Sequence, residues 1–183
     1  MTGFANLACT KSNLSTLLTP NLNLLNMKNS PEITAHLNKL LALNFNTEKA
    51  FINTSEAIES ESVSKFLRLI SHDRSQFIKA LDAAIRTQNG IPEYPEVTSP
   101  LMIGYGLNEI LKNIKSSNDD VYIFSEIGKI QMMDIERYQA VINKFDLSEK
   151  LESILKSQKE KLVMTLYAIN VYKDSCSRNR VAV

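Results

Sequence analysis

Four long stretches of this sequence repeat apolar residues at helical spacing, and this periodicity limits the possible folds more than any other feature. In the clearest stretch, Val63, Phe66, Leu67 and Ile70 lie on one stripe of a helix. No stretch alternates apolar and polar residues as a half-buried strand does. The chain has 183 residues and 44% hydrophobic content, which is enough to bury one sizeable core. We therefore predict an all-α protein with one folded domain.

Capping residues and prolines set the limits of the predicted helices. Ser30 and Pro31 open the first helix, because a hydroxyl caps free N–H groups and proline presets φ. Gly90 stands where a left-handed residue ends the second helix, and Asp146 with Glu149 resembles a capping box. The predicted helices span 31–60, 62–89, 100–115, 118–144 and 146–175. Around them we predict a disordered segment over 1–29, a helical domain over 30–176 and a flexible tail over 177–183.

The lengths of the helices predict how they are arranged. Four of them are long and similar, and a proline-rich connection with the short helix separates the second from the third long one. This pattern favours two antiparallel pairs joined by a crossover. We expect a ferritin-like antiparallel four-helix bundle with a short extra helix in the crossover connection.

Composition narrows the functional classes. The chain has 21 basic and 20 acidic side chains, so no broad field attracts nucleic acid. No apolar run approaches the roughly 18 to 20 residues that span a bilayer. The two cysteines, Cys9 and Cys176, lie in polar segments near opposite ends, which is typical of free thiols in a reducing compartment. We predict a cytoplasmic protein without nucleic-acid or membrane partners.

A trio of adjacent polar residues interrupts the apolar run FLRLISHDRSQFIKAL, which spans 66–81. At 100° per residue, Arg74 falls near the centre of the apolar stripe, Asp73 at its edge and His72 almost opposite. We therefore predict that Arg74 points inward and His72 is exposed. A histidine ligand for zinc or iron would need partners at helical spacing, and none stands beside His72. No residue pairing suggests a nucleophile, so we predict no catalytic residue and expect that the protein is not an enzyme.

Each long helix carries polar residues on its predicted core face. Unpaired charge in a bundle interior costs several kcal/mol, so these residues must pair with each other, reach water or hold an ion. The inward polar residues are Asn44 and Glu48 on the first long helix, Arg74 on the second, Gln131 and Asp134 on the third, and Gln158 on the last.

Two interpretations of these residues remain open. In the first, Arg74 bridges Glu48 and Asp134 in a buried network of ion pairs and amides, without a metal or other cofactor. In the second, Glu48 and Asp134 bind iron or manganese in a reduced carboxylate site. The guanidinium favours the first interpretation, because it repels a cation and offers no lone pair to a metal.

Several motifs resemble those of a bacterial ferritin-like family of small four-helix-bundle proteins, usually labelled as a domain of unknown function. The resemblance covers about 37–174. Glu48, Lys49 and Phe51 in LNKLLALNFNTEKAF resemble a Glu-Lys-Gly-Phe pattern, with Ala50 for the glycine. The stretch RSQFIKALDAAIRTQNGIPE is similar to the family's Arg-x-x-Phe and Gly-x-Pro-Glu signatures, and LESILKSQ and INVYKD continue the likeness.

The resemblance implies a fold more strongly than an activity. It implies glutamates around Gly128 and Gln131 and a histidine at Leu166, and this chain lacks all three groups. Neither Glu-x-x-His motif of a ferritin-type di-iron site is present. Some family members are associated with stress responses. We therefore expect a non-catalytic bundle that acts through protein association as a homodimer, with a metal-binding redox protein as the alternative.

Overall fold

The computed structural model describes residues 31–95 and 107–181, and every regular element in these two segments is a helix. The all-α prediction is therefore confirmed. Helix α5 continues to Val181, into the stretch predicted as a tail, whereas the predicted segment 1–29 and the predicted start of the short helix lie outside the described residues. The helices are α1 (Pro31–Ala57), α2 (Glu61–Thr87), α3 (Leu107–Lys115), α4 (Asp120–Lys144) and α5 (Glu149–Val181).

Side-chain caps begin three of the helices. The Ser60 hydroxyl accepts a hydrogen bond from the Val63 amide at 3.4 Å at the start of α2. Asp119 accepts from the amides of Val121 and Tyr122 at 2.9 and 3.2 Å at the start of α4. At α5 the predicted capping box is wrong, because Ser148 directly precedes the helix and its hydroxyl accepts from Leu151 N at 3.4 Å.

The end of α2 has a left-handed residue, but it is Asn89 and not Gly90. Asn89 has φ of 57°, and asparagine tolerates this region better than most residues. The amides of Asn89 and Gly90 donate to the carbonyls of Arg86 and Ile85 at 3.0 and 2.9 Å, which satisfies the end of the helix. Gly90 is required for space, since a Cβ there would lie 2.5 Å from Thr34 Cγ2.

Contacts between helix ends show the directions of the four long helices. Lys144 Nζ lies 2.6 Å from Glu32 Oε1, so the end of α4 lies beside the start of α1. Ser60 donates to Asp120 Oδ2 at 2.9 Å, so α2 and α4 begin at the same level and run in the same direction. Because α2 and α4 are parallel, the chain must cross the length of the molecule between them, and α3 lies in this connection against α1 and α4.

The direction of α5 follows from its contacts with α2. Lys161 Nζ lies 3.5 Å from Asp73 Oδ2. Further along α5, the Tyr172 ring lies 5.3 Å from the Phe66 ring, which is earlier in α2. Helix α5 therefore runs opposite to α2 and α4, and the order of directions is up, down, down, up.

The buried apolar residues form two clusters, one towards each end of the long helices. One contains Leu41, Phe77 and Tyr138, and the other contains Phe51 and Ile70. On α1, α2 and α4 the positions between the two clusters carry buried polar residues, which include Asn44, Arg74 and Asp134. The core is therefore apolar at both ends and polar in its middle layer. In the described part of the chain, no helix is long and apolar enough to cross a membrane.

We predict that Gly90→Ala destabilises the protein by about 1 to 3 kcal/mol, the usual cost of overpacking. Its new methyl group would meet Thr34 Cγ2 at 2.5 Å and Ile85 O at 3.2 Å. The matched control is Asn89→Gly, which should change the free energy of unfolding by less than about 1 kcal/mol because glycine accepts a positive φ. Urea denaturation measures both variants. Equal stability of Gly90→Ala and the parent would contradict the close approach of α1 to this turn.

Candidate functional site

A buried arginine joins three helices in the middle layer. Arg74 on α2 is 1% exposed. Its Nη1 donates to Asn44 Oδ1 on α1 at 2.9 Å, and its Nη2 donates to Gln131 Oε1 on α4 at 2.8 Å. Nη2 also lies 2.8 Å from Asp134 Oδ2. The guanidinium is therefore surrounded by acceptors from both helices that face it.

The charge of Arg74 is balanced by Asp134, which is fully buried. Oδ2 of Asp134 pairs with Arg74 by distance, but no N–H group points at this oxygen with hydrogen-bond geometry. The contact is therefore a close ion pair, while the directed hydrogen bonds of Arg74 go to the two amides. Oδ1 of Asp134 accepts from Arg137 Nη1 at 2.9 Å, so each carboxylate oxygen faces a guanidinium.

A chain of neutral hydrogen bonds extends the network to α5. Asn44 Nδ2 donates to the Tyr138 hydroxyl at 2.8 Å, and this hydroxyl donates to Gln158 Oε1 at 2.7 Å. Gln158 Nε2 then donates to the Phe77 carbonyl at 3.3 Å. Burial raises the pKa of the Tyr138 hydroxyl, which therefore keeps its proton and remains a donor. All four long helices are linked through one set of polar side chains.

The structure brings together five of the six residues predicted for the network, Asn44, Arg74, Gln131, Asp134 and Gln158. Glu48 does not join them, so the predicted bridge from Arg74 to Glu48 is wrong. Near this level of α1, Asn44 and Thr47 are fully buried, whereas Glu48 is only half-buried. The acceptor that α1 offers to Arg74 is therefore the amide oxygen of Asn44, on a shorter side chain than that of Glu48.

Two buried residues of α4, Tyr138 and Glu126, are not among the polar residues predicted from the sequence. Tyr138 stands one turn after Asp134 on the same face of the helix, and this spacing is a signal for a polar contact. Glu126 on α4 is 3% exposed and forms an ion pair with Lys129. The hydrogen bond that Lys129 donates to Glu126 raises the pKa of Lys129. A lysine three residues after a glutamate is the signal that could have identified the pair.

The trio at 72–74 divides as the helical projection predicts. His72 is exposed, Asp73 is partly exposed beside Lys161, and Arg74 is buried. The three side chains therefore point in different directions and do not form a common site.

The residues of the middle layer do not fit a ferritin-type metal site. Both oxygens of Asp134 are engaged by arginines, and Glu48 is not beside them. Two of the three positions where the resemblance implied ligands are apolar neighbours, since a Cβ on Gly128 would lie 3.5 Å from Leu166 Cδ1. The third is Gln131, whose amide oxygen accepts from Arg74. Within 31–95 and 107–181, no group of three or more His, Cys, Asp or Glu residues could hold a metal ion.

Comparisons with known proteins do not assign a family. No protein-family model matches the chain, and no curated protein gives a significant match. The geometry of the described residues is therefore the basis for a functional proposal.

We predict that Arg74→Ala destabilises the protein by roughly 3 to 5 kcal/mol, because it leaves Asp134 buried without its main partner. Arg74→Met should cost less, since methionine fills much of the volume that alanine leaves empty. Chemical denaturation monitored by circular dichroism gives the free energy of unfolding for both variants.

The control for this experiment is His72→Ala, an exposed change on the same helix. It should alter stability by no more than about 0.5 kcal/mol. A silent Arg74→Ala combined with a damaging His72→Ala would mean that the face of α2 has been assigned wrongly.

We also predict that the protein carries no stoichiometric iron or manganese when it is purified without chelator. The reason is the donor set, in which Asp134 is already neutralised by two guanidinium groups. Elemental analysis of the purified full chain measures this directly. One metal ion per chain that is lost in Asp134→Asn would contradict the network described above.

Proposed function

We propose that this protein is a ferritin-like four-helix bundle that acts through protein association as a homodimer, without catalysis. The up, down, down, up order of the four long helices and the crossover with a short helix support the fold. The polar middle layer supports a structural role, because its charges are paired with each other. The positions of the two cysteines, in polar segments near opposite ends of the chain, favour free thiols and the cytoplasm. A role in stress responses rests on the resemblance alone.

The observation that carries the proposal is a second apolar face on α5. The core face of this helix includes Leu155, Leu162 and Ile169, all nearly fully buried. At 100° per residue, the second face lies on the opposite side of the helix. Its members are Val163 at 45% exposure, Met164 at 63%, Tyr167 at 67% and Val171 at 49%.

A helix that is apolar on both sides is typical of one that is buried on both sides. Single exposed apolar residues are normal on a protein surface, but four within two to three turns form a contiguous patch. Tyrosine and methionine are also enriched where proteins meet. The outer face of α5 therefore has the composition of an interface.

A second copy of the chain is the partner that this face fits best. Two α5 helices packed antiparallel about a two-fold axis near residue 165 would place Val163 opposite the partner's Tyr167. The same register would place Lys156 opposite the partner's Asp174, so a cation and an anion meet at each end of the patch. Lys156 now pairs with Glu152 at 2.6 Å on the surface, and such exposed pairs rearrange at little cost.

We predict that the full chain is a dimer at micromolar concentration and that Tyr167→Lys converts it to a monomer. The substitution places two cations at the centre of the two-fold contact. Size-exclusion chromatography with light scattering measures the mass of both proteins. Circular dichroism should show equal helix content, because the side chain of Tyr167 is exposed in the monomer.

The matched control is Ile91→Lys, which makes the same change of charge at a residue that is 79% exposed after the end of α2. It should leave the dimer intact. A parent protein that is monomeric at micromolar concentration would refute the proposal. So would a dimer that tolerates Tyr167→Lys and dissociates with Ile91→Lys.

A further inference from the structure

A groove of about 600 Å³ lies between α1 and the end of α3, and none of its lining residues belongs to the network around Arg74. Phe45, Ala50 and Leu111 supply apolar surface to its wall. The volume lies within the range of small-molecule sites, which combine apolar walls with a few polar groups. The groove therefore has the size and lining of a ligand site.

Three lysines surround this groove. Lys49 comes from α1, and Lys112 and Lys115 come from the last turn of α3. Lys112 and Lys115 are three residues apart, so they lie on the same face of their helix. Among the described lining residues there is no acidic side chain. The groove therefore concentrates positive charge in a chain whose formal net charge is only +1.

Several lysines elsewhere on the surface form ion pairs with carboxylates. Lys65 pairs with Glu61 at 2.7 Å, and Lys156 pairs with Glu152 at 2.6 Å. No such pair with a described carboxylate is formed by the three lysines of the groove. Glu109 stands one turn before Lys112, but it neither lines the groove nor pairs with this lysine. The three ammonium groups are available to an anion.

Further side chains of the groove suit a ligand with a ring and polar atoms. Lys49 Nζ lies 4.8 Å from the centroid of the Phe45 ring, so a cation and an aromatic surface are adjacent. Asn46 and Asn53 also line the groove and supply polar side chains.

We propose that this groove binds a small organic phosphate, a phosphate monoester attached to an aromatic or heterocyclic body. The phosphate is held by Lys49, Lys112 and Lys115, since lysine binds phosphate as a point charge. The ring lies on the apolar surface that includes Phe45. The site is independent of the association through α5, because it involves neither that helix nor a second copy.

Adenosine 5′-monophosphate is the probe, with adenosine and inorganic phosphate as comparisons. Isothermal titration of the full chain at low salt should show the monophosphate binding about tenfold or more tightly than either comparison. The affinity should fall as salt is added, because the contacts are exposed charges. Binding of adenosine or of inorganic phosphate as tight as the monophosphate would overturn the proposal, since both halves of the ligand are required.

The variant that tests the site is the triple substitution Lys49→Gln, Lys112→Gln and Lys115→Gln. It should weaken binding of the monophosphate by about tenfold or more and leave helix content unchanged, because glutamine is as good a helix former as lysine. The control carries Lys39→Gln, Lys79→Gln and Lys150→Gln, three exposed lysines outside the groove with the same loss of charge. It should bind as the parent does. Equal affinity of the two triple variants would overturn the proposal, because charge without position would then explain the binding.

Discussion

The ion pair between Arg74 and Asp134 is the interaction on which the arrangement of the long helices depends. A guanidinium that is 1% exposed and a carboxylate that is fully buried are each expensive to remove from water. Their cost is offset only when α1, α2 and α4 stand at a level where Asn44 and Gln131 also reach Arg74. Apolar side chains would tolerate a small shift along the helix axis. The directed hydrogen bonds of Arg74 do not tolerate such a shift. The ion pair and these hydrogen bonds therefore set the register of the three helices.

The same constraint explains why the core is divided. An apolar cluster lies on each side of the polar layer, and the hydroxyl of Tyr138 connects that layer to Gln158 on α5. The charges of this layer are paired with each other, and burial keeps Tyr138 protonated. The two surfaces that we propose for interaction with other molecules lie outside this layer. The outer face of α5 is the surface through which we propose that two chains associate. The groove beside α3 is the surface at which we propose that an organic phosphate binds.

The helical projection predicted the site well where position on a single helix was enough. The inward direction of Arg74 and the outward direction of His72 follow from periodicity, because the apolar stripe of α2 is clear. The projection failed for Glu48, which it placed on the core face of α1. In the structure Glu48 is half-buried, and Asn44, one turn earlier, is the buried residue. The capping pattern predicted the left-handed residue at Gly90, whereas Asn89 adopts this conformation and Gly90 is needed for its lack of a side chain. Both errors depend on how closely a neighbouring helix approaches, and the sequence of a single segment contains no information about this distance.

The sequence by itself determined that the chain forms long helices, where four of them lie and which face of α2 is buried. These properties depend on local propensity, capping and a period of 3.6 residues, all of which are carried by neighbouring positions. Only the tertiary structure decided that Asn44 and not Glu48 meets Arg74, that Tyr138 joins the polar layer, and that three lysines from two helices share a groove. These outcomes depend on distances between side chains far apart in the chain, and such distances are set when the helices pack and not when they form.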